Sequence, residues 1–420
     1  MKISFHTLGC KLNYAETSTY ERGFVAHGWD VVPWGKPADV FLVNTCSVTQ
    51  HAEGKCRGVI RRAHRLCPDA AIVVTGCYAS LRPDEVSAIE GVRLVFGGGE
   101  KSRVVPDTLA LFPGGMQQTE DVTLLGATDA MPAYSSGERT RSFLKVQDGC
   151  NNRCAYCTVP LARGSSRNIP ISVIVGQARE IAAKGIKEIV LTGVNTGDFG
   201  RTTGESFPDL LRALNDVEGI ERYRISSIEP NLVTDEIIGW IASGTKFQPH
   251  FHIPLQVGND QLLRKVGRRY DTALFADRIA AIRRALEGPG KPQVFFGIDV
   301  IVGLPGETDE MFEDTYRFLS EQIRPAWIHV FPYSRRPGTR AAEMPGQVTE
   351  RIKTERVARL EELCARLHDD FVESHRGMEL SVLWESTDKD GLMEGYTGNY
   401  IRVSRPYDPA RVGTIENVVL

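Results

Sequence analysis

The chain has 420 residues, 42% of them hydrophobic, and a net charge of −3, which allows roughly two to four domains and gives no global field to gather a polyanion. No stretch approaches the roughly 18 consecutive apolar residues of a membrane span, and no apolar run follows the basic residue at the N-terminus, so a cytoplasmic protein without membrane association is expected. Nine cysteines, an odd and scattered number, suit metal chemistry in a reducing compartment better than a disulfide scaffold.

In chain order, apolar runs at Ile3 to Leu8, Val40 to Val43 and Ile72 to Val74 alternate with helical periodicity at Tyr14 to Val25, Glu53 to Leu66 and Pro83 to Ile89. This alternation predicts an α/β unit with a parallel sheet over residues 1–112. Cys10, Cys46 and Cys77 each follow one of its strands directly. In an open α/β sheet the loops after the strands share one edge, so the three thiols are expected to converge there. From Leu111 to Arg139 the composition shifts to Gly, Pro, Ser, Thr and Gln, which reads as a linker over 113–140.

A second alternating series supplies strand candidates at Phe143 to Val146, Glu188 to Leu191, Tyr223 to Ile228, His250 to Leu255, Val294 to Val302 and Trp327 to Pro332, with amphipathic helices such as Ile171 to Ala183 between them. Six such units predict an open, partial parallel barrel over 141–345, its functional face at the strand exits. The stripe Ile352, Leu360, Leu363, Leu367 and Phe371 predicts a connecting helix over 346–375. Alternation at Leu380, Val382 and Trp384, resuming near the C-terminus, predicts a small β-barrel over 376–420.

The densest chemical signal is Asp148-Gly149-Cys150-Asn151-Asn152-Arg153-Cys154-Ala155-Tyr156-Cys157, directly after the first barrel strand. Three thiolates in one loop can hold three irons of a four-iron cluster and leave the fourth open to a ligand. A structural zinc loop is the competing reading, but such sites usually take four ligands in two separated pairs. The loop resembles the Cys-x3-Cys-x2-Cys motif of radical-SAM enzymes, aromatic residue before the third cysteine included, and in that family the ligand is S-adenosylmethionine.

Each N-terminal cysteine alone would more often be a buried apolar filler; their shared position at strand exits suggests a second open-sited cluster facing the first. Thr-Leu-Gly-Cys-Lys-Leu-Asn-Tyr-Ala-Glu-Thr at 7–17, Asn-Thr-Cys-Ser-Val-Thr at 44–49 and Thr-Gly-Cys-Tyr-Ala at 75–79 resemble the N-terminal domain of the methylthiotransferases, and the likeness covers nearly the whole chain. It implies a flavodoxin-like N-terminal domain, a radical-SAM partial barrel and a C-terminal TRAM-like domain. It also implies two [4Fe-4S] clusters, on Cys150, Cys154 and Cys157 and on Cys10, Cys46 and Cys77. S-Adenosylmethionine contacts are implied near Tyr156, Gly193, Asn195, Ser227, Glu229 and Gly303. Gly303 and its neighbours read equally well as a tight turn before a helix capped by Glu307 or Thr308, and Glu229 as half of a structural ion pair.

The segments following Cys46, preceding Cys150 and at Phe331 to Thr339 are similar to the branch that methylthiolates threonylcarbamoyladenosine next to the tRNA anticodon. The implied partners are tRNA, a reducing electron donor of the flavodoxin or ferredoxin type and a sulfur donor of open identity, acting with a monomer. The isopentenyladenosine branch, a ribosomal-protein substrate and a non-catalytic iron-sulfur RNA-binding protein are the alternatives. Basic groups that could grip RNA lie at Lys55, Arg57, Arg61, Arg62 and Arg65, at Arg264, Lys265, Arg268 and Arg269 with Tyr270, and at Arg335, Arg336 and Arg340 with Tyr333, each also readable as a solvated helix face. The tail from Arg376 carries five Lys or Arg against seven Asp or Glu, a poor phosphate grip. Cys56, Cys67 and Cys364 read as packing or surface residues.

Overall fold

The structure is a computed structural model that describes residues 1–112, 130–137 and 140–420. Most of the expected linker, 113–129 and 138–139, lies outside the described residues.

Strands β1 (Lys2–Thr7), β2 (Asp30–Val31), β3 (Val40–Thr45), β4 (Ala71–Gly76) and β5 (Val92–Phe96) form one sheet in the order β2-β1-β3-β4-β5, every neighbouring pair parallel. This is the flavodoxin-like order. β3 and β4 are buried at every position, as strands covered by helices on both faces must be. Helix α1 (Lys11–Ala26) packs Tyr20 and Phe24 against Ile3, Val40 and Leu42. On the other face, α2 (Gln50–Leu66) packs Cys56, Ile60 and Ala63 against Phe41, Val43 and Val74, and Thr49 caps it by accepting the Ala52 N–H.

Next come β6 (Arg141–Lys145), the short hairpin partners β7 (Gln147–Asp148) and β8 (Arg167–Asn168), then β9 (Glu188–Thr192), β10 (Arg222–Ile225), β11 (His250–Gln256), β12 (Phe295–Val302) and β13 (Trp327–Pro332). Parallel pairing runs β6-β9-β10 and β11-β12-β13, and parallel bridges Tyr223–Phe247 and Ser227–His252 join the halves into a six-stranded arc. The outer edge of β6 is taken by the preceding segment: Ser135 N donates to Phe143 O and Lys145 N to Ala133 O, both at 2.9 Å. That edge is therefore not free to pair with β13, and the barrel stays open. Ile189, Leu191, Tyr223 and Ile225 face the outer core, whereas the alternating residues turn a largely polar set inward. Onto this concave side the N-terminal unit lays α1, whose Ala15 packs against Phe143 and Val190.

The helix Glu350–Glu373 buries Leu360, Leu363, Cys364 and Leu367 in the barrel's outer core, and the Cys364 sulfur accepts Ile328 N–H at 3.2 Å. The C-terminal strands β14 (Glu379–Trp384), β15 (Leu392–Thr397), β16 (Arg402–Pro406) and β17 (Ile415–Val419) make an antiparallel half-barrel in the order β16-β15-β14-β17 around Val382, Trp384 and Met393. It docks at the N-terminal end of the barrel strands. Arg222 donates to Ser381 O (2.7 Å) and Tyr396 O (3.1 Å), and Arg224 to Gly398 O (2.7 Å) and Thr397 O (2.9 Å). Among the described residues no helix is long and apolar enough to cross a membrane.

Candidate active site

Cys10, Cys46 and Cys77 lie at the exits of β1, β3 and β4, and the fold brings them to one edge of the sheet. Two glycines make the approach possible. A Cβ on Gly9 (φ +111°) would lie 3.0 Å from Cys46 Cβ, and one on Gly76 (φ +98°) would lie 2.4 Å from Thr45 O; only glycine tolerates that closeness and that backbone region together. Asn13 ties the loops by donating to Leu8 O (2.8 Å) and Thr45 O (3.0 Å). Cys56 sits beneath, its sulfur accepting Cys46 N–H at 3.4 Å, so this packing cysteine also supports the Cys46 loop. Burial pushes the Cys46 thiol up to about 11, with Cys77 and Cys10 adding to the rise, and it raises Cys77 as well. Such thiols keep their protons until a metal displaces them.

The second cysteine loop is closed by the hairpin of β7 and β8. A Cβ on Gly149 (φ +70°) would stand 2.0 Å from Ser165 O, so the chain can enter the loop only through glycine. Backbone N–H groups of Asn152 and Val159 point at Cys150 Sγ and Cys157 Sγ, each at 3.4 Å, and Arg268 donates to Cys154 Sγ at 3.1 Å. Donors aimed at sulfur are what a thiolate ligand needs to be held and tuned. Burial raises the Cys157 thiol to about 12.

Around this loop the expected cofactor residues divide. Asn195 N and Val194 N donate to Gln147 Oε1 (3.0 and 2.9 Å), Gln147 Nε2 donates to Gly149 O (2.7 Å), and a Cβ on Gly193 would crowd Gln147 Oε1 at 3.0 Å. Glu229 accepts Asn152 Nδ2 at 2.9 Å on both oxygens and pairs with Arg268 at 2.6 Å, a close ion pair out of line for a hydrogen bond. Gly193, Asn195 and Glu229 thus join the cysteine loop. Tyr156 packs against the barrel core, half-buried, and the carbonyl of Ser227 accepts Thr196 N–H at 3.0 Å. Gly303 (φ +76°) makes the tight turn after β12: a Cβ there would meet Lys353 Cγ at 2.4 Å, and its N–H donates to Glu307, which pairs with Arg356 at 2.5 Å. Thr308 caps the following helix by accepting Met311 N–H.

A single zinc ion would draw three thiolates to about 4 Å of one another. Among the described residues the group of three metal-ligating side chains whose ligand atoms lie within 4.8 Å is His252, Asp299 and His329, and neither cysteine triad is that tight. The sulfur-directed donors are those that thiolate ligands of an iron-sulfur core need.

What fixes the two loops against each other is a buried ionic network absent from the sequence reading. Glu16 of α1 accepts from Lys101 (2.6 Å), Lys145 (2.8 Å) and Arg163 (3.2 Å), while Asp148 holds Lys145 (2.7 Å) and Arg163 (2.9 Å). Arg163 also donates to Asn13 at 2.5 Å. Burial alone would push the Glu16 and Asp148 carboxyls up; Lys101, Lys145 and Arg163 outweigh it and hold both well below the usual carboxylate range. Three cations against two carboxylates leave a positive surplus beside Cys77, suited to thiolate charge. The helix that begins at Cys77 packs on Val159–Arg163, which begins two residues after Cys157. Only the buried polar positions of α1 and the Lys145-x-x-Asp148 spacing could have signalled this network.

Deeper in the arc, His252, Asp299 and His329 project from β11, β12 and β13, with His252 Nε2 2.7 Å from Asp299. These residues also escaped the sequence reading, being single polar residues inside apolar runs. A cleft of about 540 Å³ lined by Gly97, Gly98, Ser165, Arg167 and Thr202 opens between the first two units; no cysteine lines it, so it does not hold the chemistry. The structure corrects part of the RNA reading. Arg268 and Arg336 are buried in ion pairs with Glu229 and Glu53, Tyr270 gives its hydroxyl to Pro254 O, and Tyr333 is buried. None of the four can meet a phosphate or stack a base.

Residues 144–319 match the radical SAM superfamily, and residues 2–97 match an uncharacterised protein family, UPF0004. The fold and cysteine loop therefore define a radical-SAM enzyme, whose [4Fe-4S] cluster and S-adenosylmethionine the family implies. The chain is 39% identical over 96% of its length to the threonylcarbamoyladenosine tRNA methylthiotransferase MtaB of Bacillus subtilis, covering 89% of that protein. It is 36% identical to MtaB of Aquifex aeolicus, with 96% and 97% covered, and 32% identical to a tRNA-2-methylthio-N(6)-dimethylallyladenosine synthase of Nitratidesulfovibrio vulgaris, with 96% and 92% covered. The chain belongs to the methylthiotransferase family of radical-SAM enzymes. Among solved structures, the radical S-adenosylmethionine methyltransferase TsrM from Kitasatospora setae shares the fold, with a TM-score of 0.57 at 16% identity over 81% of this chain and 76% of that one.

Proposed function

We propose that this protein methylthiolates N6-threonylcarbamoyladenosine beside the tRNA anticodon, replacing the C2–H of the adenine ring with C–S–CH3. Full-length likeness to several MtaB proteins supports the substrate. The observation that carries the chemistry is the pair of cysteine triads on loops locked together by the Glu16, Lys101, Lys145, Asp148 and Arg163 network.

An unactivated ring C–H lacks useful acidity, so ordinary acid–base groups cannot replace it, and a cofactor must supply the radical. With Cys150, Cys154 and Cys157 holding one [4Fe-4S] cluster and Cys10, Cys46 and Cys77 a second, the bound groups supply reductive cleavage of S-adenosylmethionine at the first and the sulfur to be transferred at the second. The protein's part is to hold and shield. Gln147, Asn152 and Arg268 fix the loop of Cys150, Cys154 and Cys157, Asn195 and Glu229 border it, and Asn13 and Cys56 brace the loops of Cys10 and Cys46. The ionic network keeps the two at a constant separation. A reductant of the flavodoxin or ferredoxin type and a sulfur donor complete the requirements.

Anaerobic reconstitution tests this. About eight irons per chain are expected, with 5′-deoxyadenosine formed on reduction. Cys150→Ala is expected to abolish that nucleoside and leave about four irons, and Cys10→Ala to leave about four irons while losing the methylthio product. Mass spectrometry of tRNA from a deletion strain should show the methylthio group missing from threonylcarbamoyladenosine; loss from isopentenyladenosine instead would overturn the substrate.

A further inference from the structure

Helix α2 buries Cys56, Ile60 and Ala63 against the sheet and leaves Lys55, Arg61, Arg62 and Arg65 exposed on its other side. Lys55 and Arg62 are seven residues apart and Arg61 and Arg65 four, so each pair lies along one line of the helix surface. None of the four has an ion-pair or hydrogen-bond partner among the described residues. The two carboxylates that share a cleft with Arg61 and Arg65 are taken, Glu85 by Arg57 at 3.0 Å and Glu90 by His64 at 3.5 Å. By contrast, Arg212, Arg317, Arg351 and Arg359 on other helices each face a carboxylate. An unpaired row of like charges repels itself and is relieved by a polyanion.

An aromatic edge adjoins this helix. β13 is the last strand of the arc, and Ile328 packs in the outer core, so Trp327, His329 and Phe331 alternate to the concave side. Among the described residues, Trp327 and Phe331 are the only exposed Trp and Phe side chains, at 38% and 44%. Phe331 stands at the strand exit, and the chain just beyond it meets α2: Gln50 N–H donates to Ser334 Oγ at 3.2 Å, and Arg336 pairs with Glu53. An exposed ring is thereby fixed beside the first turn of a basic helix, which begins four residues after Cys46. The half-barrel offers no such surface, being slightly negative and docked at the opposite end of the barrel strands.

We infer that α2 and Phe331 form one RNA-docking surface, the α2 cations gripping phosphates of the anticodon stem and the Phe331 ring stacking an unpaired base of the loop. The inference rests on the tRNA substrate proposed above and names where that RNA is held. Cations that follow a backbone, next to an exposed ring, suit a stem that ends in unpaired bases. The 17 residues of α2 span about 25 Å, room for several successive phosphates, and the loop then lies at the Cys46 end of the helix, beside the cysteine triads.

The test measures binding of two RNAs to the reconstituted full chain by fluorescence anisotropy across a salt series: an anticodon stem-loop carrying threonylcarbamoyladenosine, and a blunt duplex of the same stem. The triple variant Arg61→Ala, Arg62→Ala, Arg65→Ala should weaken both by about 10-fold or more at ~0.1 M salt and flatten the log–log salt slope by about 2 to 3. Phe331→Ala should weaken the stem-loop alone, by about 10-fold with the slope unchanged, and Phe331→Tyr should restore it. Iron content equal to that of the wild type verifies that each variant is folded. Wild-type affinity for the stem-loop in both variants would overturn the surface and leave the substrate reading intact. Unchanged RNA binding with loss of reduction by a flavodoxin-type donor would give the α2 cations to an acidic protein, overturning it as well. Failure of the wild type to bind the stem-loop would defeat the tRNA reading itself, and the surface with it.

Discussion

Gly149 shows how narrowly a single residue conditions this chemistry. It stands between Asp148, which belongs to the ionic network, and Cys150, and it turns the chain at φ +70° with Ser165 O where a Cβ would be. Gly149→Ala must open the loop or break the β7–β8 hairpin, because a backbone carbonyl cannot yield as a flexible side chain can. Iron bound by the second cysteine loop and 5′-deoxyadenosine formation should both fall at least tenfold, while the iron held near Cys10 stays; colorimetric iron and nucleoside assays read this. An alanine variant with full iron would show that the loop tolerates more than its geometry suggests. Cys56 makes the complementary point. Its sulfur is used within the protein, under Cys46, and its helical position predicted as much, but nothing in its spacing told which loop it supports.

At the scale of elements, α1 is the joint of the molecule. One stripe, Tyr20 and Phe24, closes the flavodoxin-like sheet; another, Ala15, seats on Phe143 and Val190 of the barrel; and Glu16 meets three cations from elements distant in sequence. Glu16→Gln leaves Asp148 alone against Lys101, Lys145 and Arg163. Removing one partner of a buried network costs about 3–5 kcal/mol, and here the loss falls on the seating of one unit on the other. The expected result is a lower midpoint in thermal unfolding and an uncoupled enzyme that still forms 5′-deoxyadenosine but little methylthio product. Retention of full coupling would mean that Ala15 and its apolar neighbours suffice to hold α1. The helical period at Tyr14 to Val25 announced α1 itself, whereas the partners of Glu16 depend on a second unit whose placement no helical period encodes.

For the whole molecule, the N-terminal unit seats α1 on the concave side of the open arc, and the half-barrel docks at the N-terminal end of the arc's strands. The network that joins the first two also sets a pH response. Glu16 and Asp148 have lower pKa values folded than unfolded, so their contribution is complete above the ordinary carboxylate range of about 4 and is lost as pH falls through the depressed native values. Hydrogen exchange across α1, corrected for intrinsic rates, should therefore stay constant from pH 8 to 5 and increase only at more acidic pH. Loosening of α1 between pH 7 and 5 would show that another titrating group controls the joint.

The sequence alone determined the six cysteines, the six barrel strands, the parallel N-terminal sheet and the family resemblance, because each is written in local spacing: a period of two or 3.6, or thiols a few residues apart. The tertiary structure decided which charges meet. It buried Arg268, Tyr270, Arg336 and Tyr333, which composition had offered to RNA, set Gly303 against Lys353, and gathered His252, Asp299 and His329 inside the arc. Burial and charge pairing depend on residues hundreds of positions apart, and energies of that kind exist only once the chain has closed on itself.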